Sequence, residues 1–150
     1  MFKKCPRCVI KIKRLCSFIQ IPKYAHIGDS GADLYAIEDC LLQPFERKAI
    51  PTGLCVEIPD GFELQVRPKS GLALDSGITV LNTPGTIDSG YRGEIKVILI
   101  NLSSEIYQIK KGQKIAQMVV SPVIHAEFGE VEELSESKRG TGGFGSTTIF

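Results

Sequence analysis

Leu54-Cys-Val-Glu-Ile58-Pro-Asp-Gly61-Phe62-Glu-Leu-Gln-Val66 reads as strand, turn, strand. On both sides of the turn, apolar side chains fall at every second position, the period at which residues of an extended chain face opposite ways. Between the two runs, Pro59 presets φ and Gly61 tolerates φ > 0, the properties a tight turn requires. The same pattern recurs in Val9-Ile-Lys-Ile-Lys13 and Lys114-Ile-Ala-Gln-Met-Val-Val120, and similar turn signals stand in Asn82-Thr-Pro-Gly85 and Lys110-Lys-Gly-Gln113. Many short strands with frequent turns predict an all-β sandwich or barrel. No amphipathic helical window exceeds about two turns, a length at which an isolated helix is marginal, so little helix is expected.

Ile95-Lys-Val-Ile-Leu-Ile100 departs from clean alternation, because its last four residues are all large and apolar. Both faces of such a strand call for burial. Either an oligomer interface runs along it, or it is the central strand of a two-layer core.

At 150 residues the chain fits one domain with a real core. Eighteen basic against seventeen acidic residues leave a formal charge of +1, so the overall field favours neither a nucleic acid nor an anionic membrane. Any phosphate chemistry must be local. Three of the five cysteines (Cys5, Cys8, Cys16) crowd the first sixteen residues, unlike a disulfide framework, which points to a reducing compartment. Cys5-Pro-Arg-Cys8 with Cys16 offers fewer than the four ligands of a structural zinc site. Apolar runs fall short of a membrane span, and lysines interrupt the N-terminal segment where a signal peptide needs an unbroken core. A cytoplasmic protein is expected.

Several segments carry chemistry. Arg67-Pro-Lys-Ser-Gly-Leu-Ala73 sets a cation, a hydroxyl and a glycine in succession and reads as a small anion-binding turn, or as any surface loop. Asn82 to Glu94 reads as a hairpin carrying Asp88 and Tyr91, or as an ordinary turn in which Asp88 caps backbone amides. In the tail, Gly140, Gly142 and Gly145 satisfy the dinucleotide spacing, but a Rossmann loop must lead into a helix and the chain stops five residues later. What remains is a glycine-rich segment, free or wrapped on a polyphosphate, with Arg139 and Ser146 as phosphate ligands and Phe144 as a flat face for a base. No Walker A sequence or local nucleophile signature occurs.

Taken in order, these segments resemble the five motifs of the dUTP diphosphatase family: Ser30-Gly-Ala-Asp-Leu-Tyr-Ala36, Arg67 to Ala73, Gly85-Thr-Ile-Asp-Ser-Gly-Tyr-Arg-Gly-Glu94, Lys111-Gly-Gln-Lys-Ile-Ala-Gln-Met118, and Arg139 to Thr147. The resemblance implies a distorted jelly-roll (β-clip) domain assembled as a threefold trimer, each active site drawing on three chains. It divides the chain into an N-terminal extension (residues 1–8), a β-domain (9–134) and a glycine-rich arm (135–150). The implied reaction is Mg²⁺-assisted hydrolysis of dUTP to dUMP and pyrophosphate, which limits uracil in DNA and supplies dUMP for dTMP synthesis.

The resemblance also implies residue roles. Asp88 activates the attacking water. Asn82, Thr86, Ile87 and Lys96 surround the uracil, and Tyr91 stacks on the sugar. Lys69, Ser70 and Gly71 contact the phosphates from a second chain, while Arg139, Phe144, Gly145 and Ser146 close over the nucleotide from a third. Asp33 stands in the outer shell of Mg²⁺, through water.

Three features depart from the family pattern. Lys69 replaces the usual arginine and so lacks a bidentate fork. Asp75-Ser76 stands where relatives carry a basic pair, and the first eight residues lie outside the resemblance. A dCTP deaminase-like enzyme is the nearest rival, although its arginine-serine-serine signature is replaced here by Lys69-Ser-Gly71. A non-catalytic nucleotide-binding β-domain is the alternative outside enzymes, since fold alone does not prove function.

Overall fold

A computed structural model describes residues 8–145. The strands are β1 (Lys11–Arg14), β2 (Gly31–Tyr35), β3 (Cys40–Leu42), β4 (Arg47–Glu57), β5 (Phe62–Arg67), β6 (Ile78–Val80), β7 (Gly85–Ile87), β8 (Glu94–Asn101), β9 (Tyr107–Ile109) and β10 (Lys114–Pro122). They form two four-stranded sheets, β1-β4-β8-β6 and β2-β10-β5-β7, with β3 and β9 as a separate two-stranded ribbon. All pairings are antiparallel. This is the distorted jelly roll expected from the sequence. The core lies between the sheets: Leu34, Leu64, Ile115 and Met118 from one meet Ile50, Leu54, Ile95, Val97 and Leu99 from the other.

The decisive turn forms as read, with Gly61 at φ 82° and the Phe62 amide donating to the Pro59 carbonyl. It carries the chain from one sheet to the other, because β4 pairs with β1 and β8 whereas β5 pairs with β10 and β7. The segment from Asn82 to Glu94 corrects the sequence reading in the same sense. It is not a hairpin: β7 pairs with β5, β8 pairs with β4 and β6, and residues 88–93 cross between the sheets. Gly90 and its neighbours make a bend as expected, but the alternation on either side cannot say which strand becomes the partner.

A second correction concerns Arg67 to Ala73. Instead of a loop, Ser70–Ser76 is a helix, α1, with Lys69 as its N-cap residue and Gly77 closing it at φ 65°. No residue of α1 is buried and Leu74 is largely exposed, so the helix has no apolar stripe to announce it.

The doubly apolar strand β8 is central in its sheet, between β4 and β6. Its inward side chains Ile95, Val97 and Leu99 are fully buried, whereas Ile98 and Ile100 on the outer face are only half-buried. The central-strand reading therefore holds, and the outer face is left only partly covered by its own chain. At the end of β8, buried Asn101 donates to the carbonyls of Leu42 and Glu105 and accepts from Ser103, pinning the β3–β9 ribbon to the sheet. Among the described residues, no buried side-chain polar atom lacks a partner, as a stable interior demands.

After β10 the chain leaves the body of the domain. Every residue from Ile124 to Thr141 is exposed. No helix among the described residues is long and apolar enough to cross a membrane.

Candidate functional site

Two clefts gather the residues singled out in the sequence. The first, of about 270 Å³, is lined by Ala49, Thr86, Ile87, Asp88, Tyr91, Glu94, Ile95, Lys96 and Ile98. Its position follows from strand pairing. β7 is an edge strand, so alternate backbone N–H and C=O groups on its outer side have no strand partner. On β8, the short strand β6 pairs only with Leu99 to Asn101, and the Leu81 amide extends that ladder just to the Ile98 carbonyl. Among the described residues, Ile95 to Val97 thus keep one edge without a strand partner, while the Glu94 carbonyl is taken by Tyr91. Residues of both open edges line the cleft, whose walls are mostly apolar.

The crossing loop places Asp88 and Tyr91 at the cleft. The Asp88 carbonyl accepts from the Tyr91 amide, which closes the bend, and the Tyr91 hydroxyl donates to the Glu94 carbonyl. The ring is thereby folded back over the loop. Gly93 makes this possible, since a Cβ there would sit 2.3 Å from the Tyr91 hydroxyl oxygen. Glu94 in turn accepts from the Gly53 amide, where β4 bulges between Pro51 and Cys55, so the start of β8 is anchored on both sides. The Asp88 carboxylate is exposed. Of the residues expected around the base, Thr86, Ile87 and Lys96 line this cleft, together with Asp88 and Tyr91. Asn82 does not; it is exposed, with its amide nitrogen against Gly85.

The second cleft, about 390 Å³, is polar and includes Asp29, Ser30, Asp33, Arg67, Lys69, Lys114 and Gln117. At its floor the buried Asp33 carboxylate receives one ammonium on each oxygen, Lys69 on Oδ1 at 2.6 Å and Lys114 on Oδ2 at 2.7 Å. Burial alone would raise the Asp33 pKa, but hydrogen bonds from Lys114 and Lys69 outweigh it and hold the carboxyl below its usual range. Asp33 raises the pKa of Lys114 in return. Beside them the Gln117 amide donates to the Pro68 carbonyl and so fixes the chain entering α1. The amides of Ser70 and Gly71 belong to the first turn of α1, where N–H groups have no helical acceptor.

Sequence reading missed Lys114, Gln117 and Arg67 as part of this cleft. On β10, Gln117 stands directly opposite both Asp33 and Arg67, a pairing that alternation alone does not specify. His26 also lines the cleft, and its backbone amide donates to the Asp29 carboxylate.

A single chain does not unite the two clefts, which share no lining residue. The β5–β7 register sets Ile87 opposite Leu64, so Asp88 lies toward the Glu63 end of β5, while Lys69 lies beyond the Arg67 end. At about 3.3 Å per residue, these positions are on the order of 20 Å apart along the strand. No described residue of the arm lines either cleft. Arg139 donates to the carbonyl of Gly142, and Phe144 projects into solvent at φ 49°. Ser146, like Cys5 of the N-terminal pair, lies outside the described residues.

Among the described residues, no group of three or more His, Cys, Asp or Glu is placed to hold a metal ion. Asp33, with both carboxylate oxygens held by ammonium groups, does not fit as a direct metal ligand, and at most it faces a hydrated ion across water.

The jelly-roll domain thus carries a largely apolar cleft beside open strand edges and a separate cationic cleft. A profile of the dUTPase family matches residues 18–148. The deoxyuridine 5'-triphosphate nucleotidohydrolase of Nautilia profundicola is 59% identical over 138 residues, covering 92% of this chain and 97% of that one. The enzyme of the same name from Clostridioides difficile is 55% identical over 138 residues, 92% of this chain and 96% of its own. Among solved structures, the dUTPase of Staphylococcus bacteriophage 80alpha with dUPNHPP superimposes with a TM-score of 0.86 at 28% identity, over 94% of this chain and 99% of that one. The chain belongs to the dUTPase family.

Proposed function

We propose that the protein hydrolyses dUTP to dUMP and pyrophosphate, acting as a homotrimer in the cytoplasm. The observation that carries this reading is the cleft between the open edges of β7 and β8, with Asp88 and Tyr91 at its mouth. Uracil enters the slot and pairs its edge with backbone groups at Thr86, Ile87 and Lys96; Asn82 turns toward it when the base binds. Cytosine, with its donor and acceptor reversed at C4, leaves those groups unpaired, the kind of mismatch that a polar site rejects strongly. Tyr91, folded over the loop, stacks on the sugar and leaves no space for a 2′-hydroxyl.

Asp88 accepts a proton from a water that attacks the α-phosphorus in line, and pyrophosphate leaves. An exposed carboxylate is ready for this role, with its loop held by the Tyr91 and Glu94 hydrogen bonds. Lys69, Ser70 and Gly71 of a second chain hold the phosphates, which accounts for two clefts that one chain keeps apart. The trimer buries the outer face of β8 at Ile98 and Ile100. The arm of a third chain then closes the site, Phe144 over the base and Arg139, Gly145 and Ser146 on the phosphates, excluding water. Mg²⁺ would come with the substrate and neutralise triphosphate charge, with Asp33 facing it through water.

Initial rates of pyrophosphate release from dUTP, UTP, dTTP and dCTP, each with Mg²⁺, test this reading. Hydrolysis of dUTP alone is expected. Ammonia release from dCTP would favour the deaminase, and inactivity toward all four nucleotides would favour a non-catalytic binder.

A further inference from the structure

Lys114 reaches Asp33 only because β10 is irregular. Along β10, Met118 and Ala116 point inward and Gln117 and Val119 outward, so strict alternation would send Lys114 inward with Ala116. Instead the register with β2 slips between Lys114 and Ala116, and Ile115 and Ala116 are both buried in succession. This extra residue is a β-bulge, which re-aims the side chain beyond it. Lys114 therefore emerges on the outer face with Gln117, above Asp33, and takes Oδ2 at 2.7 Å.

The second ammonium has a consequence for the first. Lys69, whose role is to hold substrate phosphate, is bound to Asp33 Oδ1 in the free protein. To reach a phosphate it must leave a carboxylate that is only 6% exposed. Stripping a buried carboxylate of its sole counterion is strongly unfavourable. With Lys114 in place, Asp33 keeps an ion-pair partner after Lys69 departs. Lys114 is itself half-exposed and stays hydrated, so holding it there costs little.

We infer that Lys114 is a positioning residue for the phosphate cleft: as the standing counterion of Asp33, it frees Lys69 to bind the triphosphate. The inference rests on the dUTP reading, and it adds a residue that acts through Asp33 without touching substrate. Lys114→Gln should raise KM for dUTP about tenfold and change kcat by less than about threefold, since the loss falls on phosphate binding, not on proton transfer at Asp88. Lys114→Arg, which keeps the charge, should restore KM. The distinguishing measurement is a double-mutant cycle. In the Asp33→Asn background no carboxylate needs a counterion, so Lys114→Gln should then change KM by less than about twofold.

An unchanged KM in Lys114→Gln overturns the inference. So does an equal rise in KM in the Asp33 and Asp33→Asn backgrounds, which would make Lys114 a direct phosphate ligand or a structural residue. Lack of dUTP hydrolysis by the unaltered protein would instead refute the functional reading on which it rests. Pyrophosphate binding by calorimetry covers any variant with a rate too low to fit: weaker binding by Lys114→Gln than by Lys114→Arg is expected, and equal binding overturns the inference.

Discussion

The two clefts of this chain are built on opposite principles. The slot between β7 and β8 is defined by backbone: two strand edges that the topology leaves open, with a loop whose tyrosine is folded back over Gly93. The cleft beneath α1 is defined by charged side chains on a sheet face, with Asp33 holding Lys69 and Lys114 in reserve. Backbone edges are rigid and read shape and hydrogen-bond pattern, as a base requires. Long cationic side chains are adaptable and read charge, as a triphosphate requires. Discrimination should therefore fail through changes in the first cleft, and affinity through changes in the second.

The largest effect is expected at the mouth of the slot. Asp88→Asn keeps the shape and removes the proton acceptor, so kcat should fall by roughly a hundredfold to ten-thousandfold while a non-hydrolysable dUTP analogue still binds. Unchanged turnover would remove Asp88 from the chemistry. Next comes the arm, none of whose described residues lines either cleft. Truncation after Glu136 should leave a folded trimer whose activity is lower by on the order of a hundredfold, because closure completes the geometry; full activity would detach the arm from catalysis.

A smaller effect tests the slot alone. Gly93→Ala puts a methyl group where the Tyr91 hydroxyl lies, so the ring must shift. Hydrolysis of UTP relative to dUTP should then rise by about tenfold, the scale on which a pocket senses one small group. An unaltered ratio would show that Tyr91 does not exclude the ribose.

The smallest effect belongs to the charged cleft. Asp33 has a folded-state pKa below its ordinary value, so its ionised form stabilises the fold above the unfolded pKa of about 3.9, and that contribution disappears as pH falls through the lower folded value. The thermal midpoint of the protein should exceed that of Asp33→Asn by a constant margin from pH 5 to 8. The gap should close only in strong acid. A gap that widens on acidification would contradict the Lys69–Asp33–Lys114 assignment.

How much of this was legible in the sequence depended on how local each signal was. Alternation and turn residues announced β1, β4, β5, β8 and β10, whereas β2 and the three-residue strands β3, β6 and β9 gave no signal of their own; Asp88 with Tyr91 stood out in a segment rich in Gly. Partner choice was not legible, since whether β7 pairs with β8 or β5 depends on contacts far along the chain; hence the apparent hairpin. The helix α1 escaped because it is short and buries nothing. Lys114 escaped for a subtler reason: the bulge at Ile115 and Ala116 reverses the face that alternation assigns to it.

Separation of the two clefts is the feature from which the shared site follows, and subunit mixing tests it most directly. Asp88→Asn should be an inactive trimer, and Lys69→Ala a trimer nearly inactive at dUTP concentrations well below its raised KM. Unfolded together in equal amounts and refolded, they should form mixed trimers in which about a quarter of the sites join an intact Asp88 from one chain to an intact Lys69 from another. Recovery of about a quarter of the original rate is the predicted result. No recovery from demonstrably mixed trimers would contradict it, and would mean that each chain completes its own site.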